Sequence, residues 1–245
     1  MKILLLAGTG EANQLARVLV AAGHDVTASL AGATRAPRDL GCETRIGGFG
    51  GDDGFCEWLD THQPDLVLDA THPFAARISR RSARICATRR LDYLQLLRPP
   101  WVPDGTKQQY EVADVAAARQ SVRKGARVFL ATGRQTLMEF SDFQDCELIC
   151  RQIDPPDGPF PFENGRYLIG RPPFTVEDEK ALFALLGIDV LIVKNAGGAA
   201  SYSKIEAAAD LKIPVIMLKR PDQPDAPRVS SVDDVIAWIA AHADH

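Results

Sequence analysis

Short unbroken apolar runs alternate along this chain with segments whose apolar residues recur at helical spacing. That alternation predicts layered α/β structure with parallel strands. Ile3 to Ala7 is an apolar run of strand length, and the segment after it places Leu15, Val18, Leu19 and Ala22 at helical spacing before Gly23 stops it. Asp25 to Ser29 reads as a second strand, Glu43 to Ile46 as a short third, Phe55 to Leu59 as a helix, and Asp65 to Asp69 as a fourth strand. A helix over 75–88 and a strand over 92–96 complete a doubly wound, Rossmann-like first half.

Arg98-Pro99-Pro100-Trp101-Val102-Pro103 breaks this rhythm with three prolines and marks the expected junction between domains at 1–98 and 99–245. Arg98 and Trp101 are expected to stiffen that junction. A second cycle follows, with strands over 107–112, 126–131, 167–169, 188–193 and 214–218. Helices are expected over 114–123, from a Thr175 cap through Leu186, around 203–211 and over 232–241. The fold class is therefore α/β, with two Rossmann-like domains, parallel sheets and a cleft between them.

Composition narrows the functional classes. Twenty-eight Lys and Arg against 32 Asp and Glu leave a formal charge of −4, so no overall basic footprint for nucleic acid exists and any anion site is local. The five cysteines are scattered without a Cys-x-x-Cys pair, which favours buried free thiols over zinc or a redox dithiol; no metal site is expected. The apolar start is broken by Gly8-Thr9-Gly10 before it reaches the length of a signal peptide, and no segment reaches transmembrane length. The expectation is a cytoplasmic protein without a membrane partner.

The chemistry gathers at the strand ends. In open α/β sheets ligands bind beyond the carboxyl ends of strands, and Asp69-Ala70-Thr71-His72-Pro73-Phe74 stands at such an end. Pro73 also suits a first helical turn, so an ordinary helix cap explains the same residues. Gly8, Thr9, Gly10 and Glu11 fit the opening of a dinucleotide fingerprint whose third glycine is missing; their position between the first strand and the first helix favours nucleotide binding, and a tight turn that needs glycine is the alternative. The second strand ends at Ser29 without the acidic residue that binds a free ribose hydroxyl. Thr34, Arg35 and Arg38 follow instead, and these suit a 2′-phosphate, favouring NADP over NAD, while a solvated loop with ordinary surface charges explains the same residues. In the second half, Thr132-Gly133-Arg134-Gln135, Arg171, and Lys194-Asn195 with Gly197, Gly198, Ser201 and Lys204 should face one edge. Cations converging there imply a substrate with several carboxylates or phosphates. Gly-x-Ser-x-Gly, Walker and His-Glu-x-x-His patterns are absent from the sequence, as is a Tyr followed four residues later by Lys.

Taken together, Gly8-Thr9-Gly10-Glu11-Ala12, Asp69 to Ala75, Thr132-Gly133-Arg134-Gln135, and Lys194-Asn195-Ala196-Gly197-Gly198 with Lys204-Ile205 resemble the precorrin-6A reductase family of cobalamin biosynthesis. The resemblance extends over nearly the whole chain, including Ile213-Pro214-Val215 and Arg220-Pro221. It implies NADPH-dependent hydride delivery to the C18/C19 double bond of precorrin-6A, giving precorrin-6B, with a polycarboxylate tetrapyrrole as substrate. Members of the anaerobic pathway use the cobalt form, and these residues do not separate the two. Thr71 to Phe74 are expected to flank the nicotinamide, with His72 either donating a proton or shaping the site. Contact with neighbouring pathway enzymes is a further expectation. Two other readings stand beside this one: a two-domain nucleotide-sugar glycosyltransferase and a nonenzymatic NADP-sensing protein.

Overall fold

The computed structural model describes residues 1–32, 39–105 and 108–242. Thr34, Arg35 and Arg38, the residues expected to read a 2′-phosphate, lie outside the described residues.

The chain divides into two units, one formed by Met1–Pro99 together with the chain from Pro221 onward, the other by Pro100–Arg220. In the first unit β1 (Lys2–Leu6), α1 (Gly10–Ala21), β2 (Asp25–Leu30), β3 (Glu43–Ile46), α2 (Asp52–His62), β4 (Leu66–Asp69), α3 (Ala76–Arg89) and β5 (Asp92–Leu96) follow in order. The second unit runs β6 (Gln109–Val112), α4 (Val115–Gln120), β7 (Arg127–Ala131), β8 (Glu147–Gln152), β9 (Gly165–Ile169), α5 (Val176–Leu186), β10 (Val190–Lys194), α6 (Ser203–Asp210) and β11 (Val215–Leu218). The chain then returns to the first unit with β12 (Arg228–Val229) and α7 (Val232–His242).

The pleat of β1 explains the layering, because side chains of opposite parity leave opposite faces of a strand. Ile3, Leu5 and Ala7 pack with Leu15 and Leu19 of α1 and with Val235 and Ile239 of α7. Leu4 and Leu6 join Phe55 and Leu59 of α2 and Cys86 of α3 on the other face. A strand buried on both sides reads as a continuous apolar run, which is why β1 is visible in sequence. Each fully buried leucine contributes about 2 kcal/mol. In the second unit, Phe129 of β7, Leu191 and Val193 of β10 and Met217 of β11 pack against Phe183 of α5 and Ile205 of α6. Thr175 caps α5, as the sequence predicts, and does so through a capping box with Asp178; Gly187 ends the helix in the left-handed region.

Both sheets are parallel, ordered β12-β5-β4-β1-β2-β3 and β6-β11-β10-β7-β8-β9. The strand order therefore reverses between β1 and β4 in one unit and between β7 and β10 in the other, and these switch points are where such sheets take ligands.

Two features depart from the sequence reading. The segment from Pro221, expected in the second domain, belongs to the first unit: Arg228 pairs with Gln95 and Val229 with Leu96, and α7 covers α1. One proline-rich junction was visible at 98–103, whereas Pro221, Pro224 and Pro227 mark a second. The other departure is β8, which has no counterpart among the expected strands. Its apolar run is only Leu148-Ile149-Cys150, because Glu147 pairs with Arg127 and Arg166 at one end and Arg151 pairs with Glu179 at the other.

Candidate functional site

At the switch point of the first unit, the chain leaves β1 through Gly8, whose φ of +128° is open to glycine and costly for other residues. Thr9 is the N-cap of α1. Its hydroxyl accepts from the Ala12 N–H at 3.1 Å and donates to the Ala70 carbonyl at 2.7 Å, tying the glycine turn to the end of β4. Gly8 and Gly10 are exposed, and a Cβ on either would meet nothing within 4 Å. Bare backbone at a helix N-terminus with open space before it suits a phosphate group. Glu11, in the first turn, pairs with Arg98 at 2.9 Å.

The Asp69 to Phe74 loop is held from below by a fully buried carboxylate. Asp69 Oδ1 accepts from the Thr71 N–H (3.0 Å) and hydroxyl (2.7 Å), and its Oδ2 accepts from the Tyr93 hydroxyl (2.7 Å). Burial, together with the adjacent carboxylate, pushes the Tyr93 phenol up, so it stays protonated and donating. Thr71 Oγ1 also lies 3.3 Å from Ser79 Oγ. The Phe74 N–H donates to His72 Nδ1 at 3.2 Å, which puts the proton of a neutral His72 ring on Nε2.

The sequence reading missed the supports of this loop. Gln223 donates to the Pro73 carbonyl at 2.9 Å and accepts from the Gln95 amide at 3.0 Å, and Arg228 Nε donates to Gln95 Oε1 at 3.0 Å. The backbone carbonyl of Asp222, beside Gln223, accepts two bonds from Arg80 of α3. Arg45 was missed as well. Its guanidinium donates to Ser29 Oγ at 2.7 Å and to the Gly47 and Gly48 carbonyls, and lies 3.9 Å from the Phe49 ring centre. A polar side chain at the end of β3 gave no sequence signal until its neighbour Ser29 was known.

In the second unit, the clusters after β7, β9 and β10 share the carboxyl edge of one parallel sheet. Arg134 stands 3.7 Å from Asp157, and Arg171 donates to Asp154 at 3.2 Å. Both carboxylates come from the proline-rich stretch Asp154 to Phe162 between β8 and β9. Asn195 is 1% exposed and spends its amide on its own unit: Oδ1 accepts from the Trp101 N–H, and Nδ2 donates to the Trp101 carbonyl and to Glu111. The Trp101 indole donates to the Gly198 carbonyl at 2.8 Å, and Arg220 donates to the carbonyls of Asn195 and Ala196. Trp101 and Arg220 thus latch the Lys194 to Gly198 loop. Burial lowers the pKa of Lys194. Gln135 is exposed, while Thr132 is buried with no partner for its hydroxyl.

Among the predicted residues, Gly133, Ser201 and Lys204 line one pocket of ≈ 150 Å³, which Arg151, Gln152 and Glu179 also line. Arg151 and Glu179 form a bidentate pair at 2.8 and 2.7 Å. Burial, with the Arg151 charge adding to it, lowers Lys204 to about 8. Among the described residues, no group of three or more His, Cys, Asp or Glu side chains could hold a metal, and no helix is long and apolar enough to cross a membrane.

A family model described as "Precorrin-6x reductase CbiJ/CobK" matches residues 2–240. The precorrin-6A reductase of Rhodococcus erythropolis is 43% identical over 243 residues, covering 97% of each chain. The cobalt-precorrin-6A reductase of Priestia megaterium is 30% identical, over 89% of this chain and 90% of that one. A solved structure of CobK precorrin-6A reductase superposes with a TM-score of 0.93 at 38% identity, covering 99% of this chain and 97% of that one. With a full-length match in sequence and in fold, the chain belongs to the precorrin-6x reductase family, and it is an oxidoreductase.

Proposed function

We propose that this protein reduces the C18/C19 double bond of precorrin-6A with NADPH, giving precorrin-6B in cobalamin biosynthesis. The observation that carries the reading is the full-length similarity to precorrin-6A reductases, supported by an open glycine turn at the switch point of the first unit. The 43% identity to a precorrin-6A reductase against 30% to a cobalt-precorrin-6A reductase favours the metal-free macrocycle. The five thiols are all free, which suits a reducing compartment, the cytoplasm.

Gly8, Gly10 and the N-terminus of α1 would hold the pyrophosphate, and Thr71, Pro73 and Phe74 would flank the nicotinamide. Thr9 shapes this cradle, since its hydroxyl is committed to Ala70 and Ala12. Ser29 and Arg35, with Thr34 and Arg38, would distinguish a 2′-phosphate. When bound, the reduced nicotinamide supplies a hydride. Much of the barrier reduction comes from holding the reactants in near-attack contact, which requires a rigid Thr71 to Phe74 loop. Asp69, Tyr93 and Gln223 supply that rigidity. Saturating a carbon–carbon bond takes a hydride and a proton, and we assign the proton to His72 Nε2. Lys194, Lys204, Arg134 and Arg171 would meet the carboxylates of the macrocycle.

The test is anaerobic incubation with NADPH and precorrin-6A, following loss of the NADPH absorbance with a change in the macrocycle spectrum. Turnover of cobalt-precorrin-6A alone would reverse the choice of substrate. His72→Ala should slow single-turnover reduction about 10²-fold. Near-normal hydride transfer and proton uptake across pH would remove His72 as the acid.

A further inference from the structure

Gln152, the last residue of β8, is 9% exposed, and neither its Nε2 nor its Oε1 has a hydrogen-bond partner. Buried polar groups in folded proteins are nearly always paired, so an amide with both heteroatoms unmet calls for a specific reason. Gln152 lines the ≈ 150 Å³ pocket with Gly133, Arg151, Phe174, Glu179 and Lys204. Charge in that pocket is easily assigned. Arg151 and Glu179 are 8% and 1% exposed and bond to each other through both guanidinium nitrogens, so they cancel. The Arg151 guanidinium also lies 4.4 Å from the Phe174 ring centre and 5.1 Å from that of Phe129, which fixes its plane. Lys204 remains as the net cation. Its ammonium has three donors and gives one to the Ser201 carbonyl.

We propose that this pocket is a carboxylate subsite, in which one carboxylic side chain of the substrate pairs with Lys204 and accepts a hydrogen bond from Gln152 Nε2. Gln152 Oε1 then takes a second donor of the Lys204 ammonium. One net positive charge matches a single carboxylate; a phosphate dianion would leave a charge over, and a carboxamide would leave Lys204 uncompensated. The half-buried ammonium regains its charge preference once an anion enters. Gln152 is thereby a specificity-determining residue of the substrate site. The proposal rests on the tetrapyrrole reading for the identity of the arm.

Gln152→Met keeps the length of the side chain and removes both polar atoms. Because Gln152 bonds to nothing in the free protein, the variant should match or exceed the wild-type Tm. It should raise the KM for precorrin-6A about tenfold at saturating NADPH, with kcat and the KM for NADPH unchanged. A folded variant with an unchanged KM for precorrin-6A overturns the subsite, and so does one with a lowered Tm and a raised KM for NADPH, the signature of a structural role. Fluorescence titration with uroporphyrin, a polycarboxylate tetrapyrrole, separates this proposal from the proposed reaction. Weaker uroporphyrin binding by Gln152→Met than by the wild type, together with a wild type that never reduces precorrin-6A, keeps the subsite and removes the reaction. Equal uroporphyrin binding by the two proteins removes the subsite.

Discussion

Five strands run in the same order in both sheets, β5-β4-β1-β2-β3 and β11-β10-β7-β8-β9, and the polar groups at their carboxyl ends differ in how they are met. In the first, the polar groups at the ends of β1 and β4 are paired with one another: Thr9 with Ala70, and Asp69 with Thr71 and Tyr93. In the second, the ends of β7 and β8 carry buried groups with no partner, Thr132 Oγ1 and the Gln152 amide, beside a half-buried Lys204. A satisfied cradle binds through backbone and shape, which suits a cofactor common to many enzymes. An unsatisfied, cationic edge is completed by its ligand and gains selectivity from that completion.

This contrast is open to test, because removing a polar group should destabilise the first site and not the second. Asp69→Ala leaves the Thr71 N–H and the Tyr93 hydroxyl without their buried acceptor and should cost about 3 kcal/mol, lowering Tm by roughly 6–12 °C in a thermal melt. Asp69→Asn, which keeps one acceptor oxygen, should cost about 1 kcal/mol. Thr9→Ala removes both the cap of α1 and the tie to Ala70, for about 1–2 kcal/mol and weaker NADPH binding, and Thr9→Ser should restore most of each.

A pH series probes the second site. Burial, with the Arg151 charge adding to it, lowers folded Lys204 to about 8, against 10.5 for the ordinary side chain. Between those values the unfolded chain holds more protons, so this group makes stability rise with pH, by at most about 1.4 kcal/mol per pH unit. Denaturant titrations from pH 7 to 10 should show that rise in the wild type and lose it in Lys204→Met, while the KM for the tetrapyrrole climbs above pH 8 in the wild type alone. The smallest effect is expected for Thr132→Val, whose stability should be unchanged or higher by about 0.5 kcal/mol; a loss above about 1 kcal/mol would mean that its hydroxyl is paired in solution.

The sequence was informative where a structural requirement is local. The run Ile3 to Ala7, the glycine turn and the spacing from Leu15 to Ala22 announce β1 and α1, since burial on both faces and a stop at glycine are written in neighbouring residues. Thr175 announces α5 in the same way. What stayed hidden depends on partners distant in the chain. The charged ends of β8 hide its strand pattern because their partners Glu179 and Arg166 lie elsewhere in the chain, and nothing in the sequence singles out Gln152 for burial. Asn195 was expected to face the substrate, yet its amide is committed to Trp101 and Glu111. Gln223 supports Pro73 across 150 positions of sequence, beyond the reach of any local pattern.

The late return of the chain with β12 and α7 also sets an order of synthesis. When Pro99 has been made, β5 is a sheet edge without its neighbour, and the face of α1 that α7 covers is bare. Both remain so for roughly ten seconds at ordinary elongation rates, while the ribosome adds the whole second unit. An unpaired strand edge is a template for association with other chains. The first unit to be started is therefore the last to be closed, and Gln95 and Leu96 wait through that interval for the β12 strand that pairs with them.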